Sequence, residues 1–261
     1  MSNLLKRIIV GLVGIPLILI VCYMEGLYYL FFSLIISTLA LREFFVLLEN
    51  VNYTVYKYSV ILISAIILLS QYFLSFDFVF FVYAAILILT TLELIRKNGR
   101  NPLNPVMAIF GLIYITIPFI LFGELNKFSE MNLMILIFIL IWTSDTAAYF
   151  GGKLLGRHKL SDISPGKTIE GSVTGFTFTV LISVSVHFLF PEKLLLKESV
   201  IIGLITGIFS QSGDLFESLL KRHCNSKDSS GLIPGHGGVL DRFDSLLFAA
   251  PAVYIYIRYF K

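Results

Sequence analysis

Long apolar runs restrict the fold of this chain more than any other feature of its sequence. A helix needs roughly 20 apolar residues to cross the hydrocarbon layer of a bilayer. Hydrophobic residues make up 57% of the chain and charged residues only 14%, whereas about a quarter of a typical soluble protein is charged. We therefore expect an all-α, polytopic integral membrane helix bundle rather than a soluble helical protein. About nine transmembrane helices can be drawn, at 8–24, 26–41, 58–76, 78–95, 106–122, 132–150, 172–190, 199–216 and 244–259.

The basic residues are unevenly distributed between the predicted loops. Lys6 and Arg7 precede the first apolar run, which favours a cytosolic N-terminus. If nine spans then alternate, fifteen of the twenty Lys and Arg residues fall on the cytosolic side. This excess predicts a multi-pass protein whose N-terminus and long polar loops face the cytosol. We expect the membrane to be the cytoplasmic membrane of a bacterium, with the active site on its cytosolic face. The basic residues expected outside are Lys127, Lys193, Lys197, Arg258 and Lys261.

The chain contains no repeat and no linker that would separate a soluble domain. We expect one membrane domain over 1–261. Within it, the helices of 1–130 would form a scaffold with possible dimer contacts, and 131–261 would carry the catalytic helices and two long polar loops, 151–171 and 217–243. Residues 42–57 mix charged and apolar side chains and are a candidate interfacial helix.

Four aspartates fall at the cytosolic ends of predicted spans, which places them at one depth in the membrane. Asp145 closes the sixth span, Asp214 closes the eighth, and Asp241 and Asp244 open the ninth. Carboxylates without accompanying Cys or His pairs suit Mg²⁺, which is held by one or two carboxylates together with substrate phosphates. Asp241 and Asp244 can instead cap a helix, and Asp145 can belong to a buried ion pair. The residue pattern leaves these alternatives open.

The eighth span is followed by basic residues at helical spacing. Ser210, Asp214, Ser218 and the pair Lys221 and Arg222 recur every three or four residues, so they form one polar stripe if the helix continues beyond the membrane. Cations of this kind neutralise the charge that builds up in phosphoryl transfer. They can also simply anchor the loop on the cytosolic side.

Glycine-rich turns occur in both polar loops. Residues 235–238 read Gly-His-Gly-Gly and can bring backbone N–H groups close to an anion. Residues 164–171 read Ser-Pro-Gly-Lys-Thr-Ile-Glu-Gly, where Lys167 and Thr168 are candidate phosphate contacts. This stretch is not a Walker A motif, because the first glycine at the required spacing is missing. A plain interhelical turn is the alternative.

The polar positions from Ser218 to Asp244 resemble the signature of the phosphatidate cytidylyltransferases, also called CDP-diacylglycerol synthases. The resemblance extends to 144–149, 164–171 and 213–218, and so covers roughly 142–244 with specificity. Gly166 departs from the pattern, since the family commonly has a second lysine before Lys167. The matching signature positions are Ser218, Lys221, Arg222, Lys227, Asp228, Ser230, Ile233, Pro234, His236, Gly237, Gly238, Val239, Asp241, Arg242, Phe243 and Asp244.

The resemblance implies a reaction in which CTP and phosphatidate give CDP-diacylglycerol and diphosphate. It implies Mg²⁺ as the cofactor, with room for a second cation, and a homodimer in the lipid bilayer with no nucleic-acid partner. A CTP-dependent lipid kinase of the dolichol kinase type shares the general plan, and a transporter would also carry intramembrane carboxylates. Release of diphosphate distinguishes the first reading from both.

The same resemblance assigns roles to individual residues. The expected metal ligands are Asp214, Asp241 and Asp244. The expected catalytic residues are Asp214, Asp241, Lys221, Arg222, Lys227, Asp228 and Arg242. The expected substrate-binding residues are Asp145, Ser164, Lys167, Thr168, Glu170, Ser218, His236, Gly237 and Gly238.

Overall fold

Helices make up every regular element in the described part of the chain. The structure, a computed structural model, describes residues 3–74, 77–233, 235 and 237–261, and it describes 3–9 by their backbone alone. His236, a predicted binding residue, lies outside the described residues, as does Pro234. The α-helices are α1 (Asn3–Met24), α2 (Gly26–Glu49), α3 (Lys57–Leu74), α4 (Phe78–Ile95), α5 (Leu103–Gly111), α6 (Ile117–Glu124), α7 (Leu133–Leu155), α8 (Ile169–Leu189), α9 (Leu196–His223) and α10 (Leu240–Tyr259).

These helices confirm the polytopic, all-α membrane fold. In the described residues, seven segments are long and apolar enough to cross a membrane: α2, α3, α4, Leu103–Phe128, α7, α8 and α9. α1 and α10 coincide with the first and last predicted spans but do not qualify by length and composition. The described apolar part of α1 is only Val10–Met24, and α10 begins with the charged residues Asp241, Arg242 and Asp244.

The fifth span changes its helical pitch in the middle. α5 is followed by a π-helical turn over Leu112–Thr116, and α6 then begins at Ile117. Pro118 lies two residues after this turn and has no backbone N–H to donate to the preceding turn of helix. A wider π-helical turn accommodates the missing hydrogen bond without breaking the span.

Residues 42–57 do not form the separate interfacial helix that their sequence suggested. α2 continues unbroken to Glu49, and Phe44 and Phe45 are fully buried in the core. Glycine at position 111 lets α5 approach them closely, since a Cβ there would lie 2.6 Å from Cε1 of Phe44. The apolar face of this segment therefore packs against protein instead of lying in the membrane interface.

The chain forms two compact units, each with its own core. The first unit comprises Met1–Ile120 and His223–Arg242. In it α2 packs against α3 and the fifth span, and the Tyr29 hydroxyl donates a hydrogen bond of 2.5 Å to the carbonyl of Phe119. The second unit comprises Leu121–Arg222 and Phe243–Lys261, and α7 packs along α8 in it.

Glycines bring α7 and α8 unusually close together. A Cβ at Gly171 would lie 2.6 Å from the carbonyl oxygen of Ala148, and one at Gly175 would lie 2.7 Å from that of Ser144. Small residues at such contacts are typical of membrane helices, which gain stability from close packing in the absence of a hydrophobic driving force. This contact brings the C-terminal half of α7 against the N-terminal half of α8.

Candidate active site

Hydrogen bonds fix the loop that joins α7 to α8. The amide of Leu160 donates to the carbonyl of Lys167 at 2.9 Å, and the amide of Ile169 donates to the carbonyl of His158 at 2.9 Å. The carboxylate of Glu170 accepts hydrogen bonds from the amides of Arg157 at 3.0 Å and His158 at 3.2 Å. Glu170, predicted to bind substrate, therefore contacts its own loop in this structure.

The first turn of α8 is capped by a second predicted binding residue. The hydroxyl of Thr168 accepts a hydrogen bond of 3.1 Å from the amide of Gly171, which is the usual N-cap arrangement. Ser164 contributes its carbonyl, which accepts a bond of 3.0 Å from the amide of Lys167. These local bonds set the backbone from which the side chain of Lys167 extends.

A cavity of about 370 Å³ opens between the ends of α7, α8 and α9 in the second unit. Asp145 from α7, Lys167 from the loop and Asp214 from α9 all line it. The Lys167 ammonium group is in direct ion-pair contact with the Asp214 carboxylate. Asp145 is exposed in this cavity, so its carboxylate is accessible from the cavity.

Gln211 is a lining residue that the sequence analysis did not assign. Its side-chain amide donates a hydrogen bond of 3.1 Å to the carbonyl of Ser172, and its carbonyl oxygen accepts one from the Ser172 hydroxyl. Gln211 thereby joins α9 to α8 at the cavity wall. Its position three residues before Asp214, on the same helix face, was the available signal.

Three carboxylates of the second unit lie near one another. The carboxylate of Asp244 interacts electrostatically with those of Asp214 and Asp145 and with the Lys221 ammonium group. α9 and α10 approach closely here, because a Cβ at Gly213 would overlap the backbone of Asp244. The arrangement confirms neither metal nor substrate, but it concentrates hard oxygen donors and cations at one place.

The donor set of this cluster suits Mg²⁺ in its chemistry. Asp214 and Asp244 offer the carboxylate oxygens that this ion prefers. Among the residues that the structure describes, no three Asp, Glu, His or Cys side chains converge as a complete metal site. A small set of protein ligands is the usual arrangement for Mg²⁺ at phosphate sites, where substrate oxygens and water supply the rest. The residues therefore fit a metal that binds together with a phosphate substrate.

The predicted polar stripe on α9 is confirmed, since the helix continues to His223. Lys221 forms an ion pair with Glu217, one turn earlier, whose side chain is fully buried. Ser218 is half-buried and Arg222 is exposed on the same helix. The i, i+4 spacing of Glu217 and Lys221 was the sequence signal for this pair, and it was not used.

Asp241, in the first unit, organises the loop before α10. Its carboxylate accepts hydrogen bonds from the amides of Gly238 at 2.7 Å and Ser229 at 3.0 Å. The backbone of Gly237 has a positive φ of 81°, and a Cβ there would crowd the same carboxylate. A carboxylate has further lone pairs, so the role of Asp241 as a metal ligand stays a prediction.

A buried carboxylate that no sequence motif indicated contacts the loop before α10 in the first unit. Glu43, on α2, is only 5% exposed and accepts hydrogen bonds from the residues at the start of α10 and the loop before it. One oxygen accepts from the Ser230 hydroxyl at 2.6 Å and the Val239 amide at 3.0 Å. The other accepts from the Ser229 hydroxyl at 2.9 Å and the Leu240 amide at 2.8 Å.

Glu43 also explains the glycine at position 238. A Cβ at Gly238 would overlap both the Ser229 hydroxyl and the Glu43 carboxylate. The backbone N–H groups of Val239 and Leu240, which follow the glycine-rich turn, thus meet an anionic group of the protein itself. A charged residue inside a long apolar helix was the available signal for Glu43.

The other predicted residues of this loop lie on its surface. Lys227, Asp228 and Arg242 are exposed. Their catalytic roles stay predictions. The same is true of the substrate contacts predicted for Gly237 and Gly238.

Comparison with known proteins identifies the family of this chain. Residues 5–260 match the family model described as "Cytidylyltransferase family". The chain is 32% identical over 259 residues to a phosphatidate cytidylyltransferase of Staphylococcus aureus, covering 96% of each chain. It is 36% identical to proteins of the same name from Bacillus subtilis, covering 68% of this chain and 67% of the relative, and from Staphylococcus haemolyticus, covering 64% and 65%. The chain therefore belongs to the cytidylyltransferase family.

Proposed function

We propose that this protein is a phosphatidate cytidylyltransferase, which converts CTP and phosphatidate into CDP-diacylglycerol and diphosphate. One observation carries the proposal. Asp145, Lys167 and Asp214 come from three separate stretches that resemble the family, and they line a single cavity. Relatives that carry this enzyme name align over nearly the whole chain, which supports the same assignment. Membrane-spanning helices around the cavity suit a lipid substrate that arrives from the bilayer.

The charges around the cavity suit polyphosphate chemistry. Lys167 and Lys221 would neutralise phosphate oxygens of CTP and of the departing diphosphate. Asp214 and Asp244 would hold Mg²⁺, with Asp241 as a further predicted ligand, and this ion would supply charge neutralisation at the phosphates. Lys167 contacts Asp214 in the structure, so a bound phosphate would compete with the carboxylate for the ammonium group.

The reaction needs no nucleophile from the protein. An oxygen of the phosphatidate phosphate forms a bond to the α-phosphorus of CTP, and the bond from that phosphorus to the diphosphate oxygen breaks. The attacking phosphate is already anionic at neutral pH, so it needs positioning and charge neutralisation more than deprotonation. Configuration at the α-phosphorus should invert once. A chiral α-thio CTP analogue would report this, and net retention would indicate a cytidylyl-enzyme instead.

Product analysis tests the proposed function directly. Purified protein in phosphatidate-containing micelles, given CTP labelled at the α-phosphorus and Mg²⁺, should place the label in a lipid and release unlabelled diphosphate. CTP labelled at the γ-phosphorus should leave the lipid unlabelled. Label moving from the γ-position to lipid, with CDP as the other product, would identify a CTP-dependent lipid kinase. Absence of lipid labelling from either substrate would contradict the proposal.

We further propose that the enzyme is a homodimer with its active site on the cytosolic face of a bacterial membrane. The resemblance to the family supports the dimer, and the excess of basic residues supports the orientation. Crosslinking in native membranes at low expression should trap a species of twice the monomer mass. A single monomeric species under those conditions would contradict the dimer.

A further inference from the structure

The loop before α10 is held by a residue far away in the sequence. Glu43 on α2 accepts four hydrogen bonds from residues 229–240, and its carboxylate is almost entirely buried. Two of the donors are the amides of Val239 and Leu240, at the N-terminus of α10. Those amides have no partner within a helix, and Glu43 supplies it from another helix.

Glu43 and Asp241 act on the same few atoms. The Ser229 hydroxyl lies 2.9 Å from a Glu43 oxygen and 3.0 Å from an Asp241 oxygen, and its single proton serves one of them at a time. Asp241 also accepts the amides of Ser229 and Gly238. The conformation of the loop and the orientation of the Asp241 carboxylate are therefore set by one shared network, to which Glu43 contributes both of its oxygens.

We propose that Glu43 is a positioning residue of the cytidylyl transfer reaction. Through its hydrogen bonds to residues on either side of the glycine-rich turn, Glu43 holds Asp241 in the orientation that the reaction requires. This inference rests on the proposed function, since it assigns a role in that reaction. The role is indirect, because Glu43 is buried behind the loop and touches only protein atoms among its described contacts.

The matched pair Glu43→Gln and Glu49→Gln tests the inference. Both substitutions replace a carboxylate by an amide on α2. Glu49, however, is exposed, and its carboxylate pairs with Lys57 at 3.0 Å. In Glu43→Gln an NH₂ group replaces one carboxylate oxygen. That group cannot accept the two hydrogen bonds that the oxygen accepted. We expect kcat/KM for CTP to fall at least about tenfold in Glu43→Gln and to stay at the wild-type value in Glu49→Gln.

Hydrogen–deuterium exchange gives a readout that is independent of activity. Peptides covering 229–240 should exchange at least about tenfold faster in Glu43→Gln, while peptides from α7 and α8 keep their wild-type rates. Unchanged exchange in 229–240 would overturn the inference. So would faster exchange with a wild-type kcat/KM per folded enzyme, because a purely structural role predicts that result.

A second variant decides the question if Glu43→Gln does not fold. Ser230→Ala removes one donor to Glu43 and leaves the carboxylate in place. Ser230→Ala should raise exchange in 229–240 and lower kcat/KM, each by a smaller factor than Glu43→Gln does. Wild-type values for both quantities would refute the role of Glu43. If the wild-type protein itself forms no CDP-diacylglycerol, the proposed function fails. If the wild type is active and Glu43→Gln is equally active, the role of Glu43 is refuted and the proposed function is unaffected.

Discussion

At the scale of single residues, Asp214 interacts with both a cationic and an anionic side chain of the second unit. It contacts Lys167, lines the cavity and interacts with Asp244. We predict that Asp214→Asn lowers kcat to less than about a tenth of wild type at saturating Mg²⁺, because the lost carboxylate weakens charge neutralisation at the transition state. Steady-state kinetics on purified, monodisperse protein measure this.

Asp77→Asn is the matched control for that substitution. Asp77 caps α4 by accepting a hydrogen bond of 2.9 Å from the amide of Val79, and asparagine caps a helix about equally well. The control should therefore keep wild-type kcat and a wild-type thermal midpoint. Activity of Asp214→Asn above about a tenth of wild type would remove Asp214 from the proposed ligands.

Gly238 makes a second prediction at this scale. Its Cβ position is occupied by the Ser229 hydroxyl and the Glu43 carboxylate, so Gly238→Ala must displace a buried charged group that accepts four hydrogen bonds. We expect a loss of stability of about 1–3 kcal/mol and at least about tenfold lower kcat. Gly231→Ala, in the same loop with open space around it, should change neither. Equal behaviour of the two variants would contradict the packing seen at Gly238.

At the scale of elements, the cavity depends on how closely α7 and α8 approach. Gly175→Ala would place a methyl group 2.7 Å from the backbone oxygen of Ser144. The two helices would have to move apart to relieve this contact. We predict a thermal midpoint several °C lower in detergent and weaker CTP binding. Gly14→Ala on α1 has nothing within 4 Å and should be neutral or slightly stabilising. A neutral Gly175→Ala would show that the helices adjust freely.

The elements also show which parts of the fold were predictable from sequence. The spans depend on the local length of apolar runs, so their positions were predicted closely, and so was the continuation of α9 to His223. Asp145 and Asp214, which line one cavity, were grouped in advance because alternating spans place their helix ends at one depth. Lys167 lies in a loop and was predicted only as a phosphate contact. Glu43 was not assigned, because its partners lie 186 to 197 residues later in the chain and no local spacing connects them. The extension of α2 through 42–49 was missed for the same reason.

At the scale of the whole molecule, we expect the two polar loops to lie on one side of the membrane. α8 and α9 both qualify as membrane spans, and two successive spans return the chain to its starting side. Loops 151–171 and 217–243 are therefore expected to share a face whether or not α1 and α10 also cross. Fifteen of the twenty basic residues then favour the cytosol as that face.

Cysteine labelling in intact cells tests this orientation. Cys224 is fully buried, and burial raises the pKa of its thiol, so at neutral pH it carries less thiolate and should not react with an impermeant maleimide. The chain's other cysteine, Cys22, is also fully buried, so introduced cysteines would report alone. Glu130→Cys and Glu192→Cys lie at exposed positions of the predicted external connections, and Asp162→Cys and Gly231→Cys lie at exposed positions of the two polar loops.

We predict that cysteines at 130 and 192 react from outside the cell. Cysteines at 162 and 231 should react only after the membrane is permeabilised. Labelling of both 162 and 231 from outside would reverse the orientation and place the proposed CTP site away from its nucleotide pool. Labelling of one without the other would mean that α8 and α9 do not both span. In that case the two polar loops would face opposite sides of the membrane, which would contradict the predicted shared face.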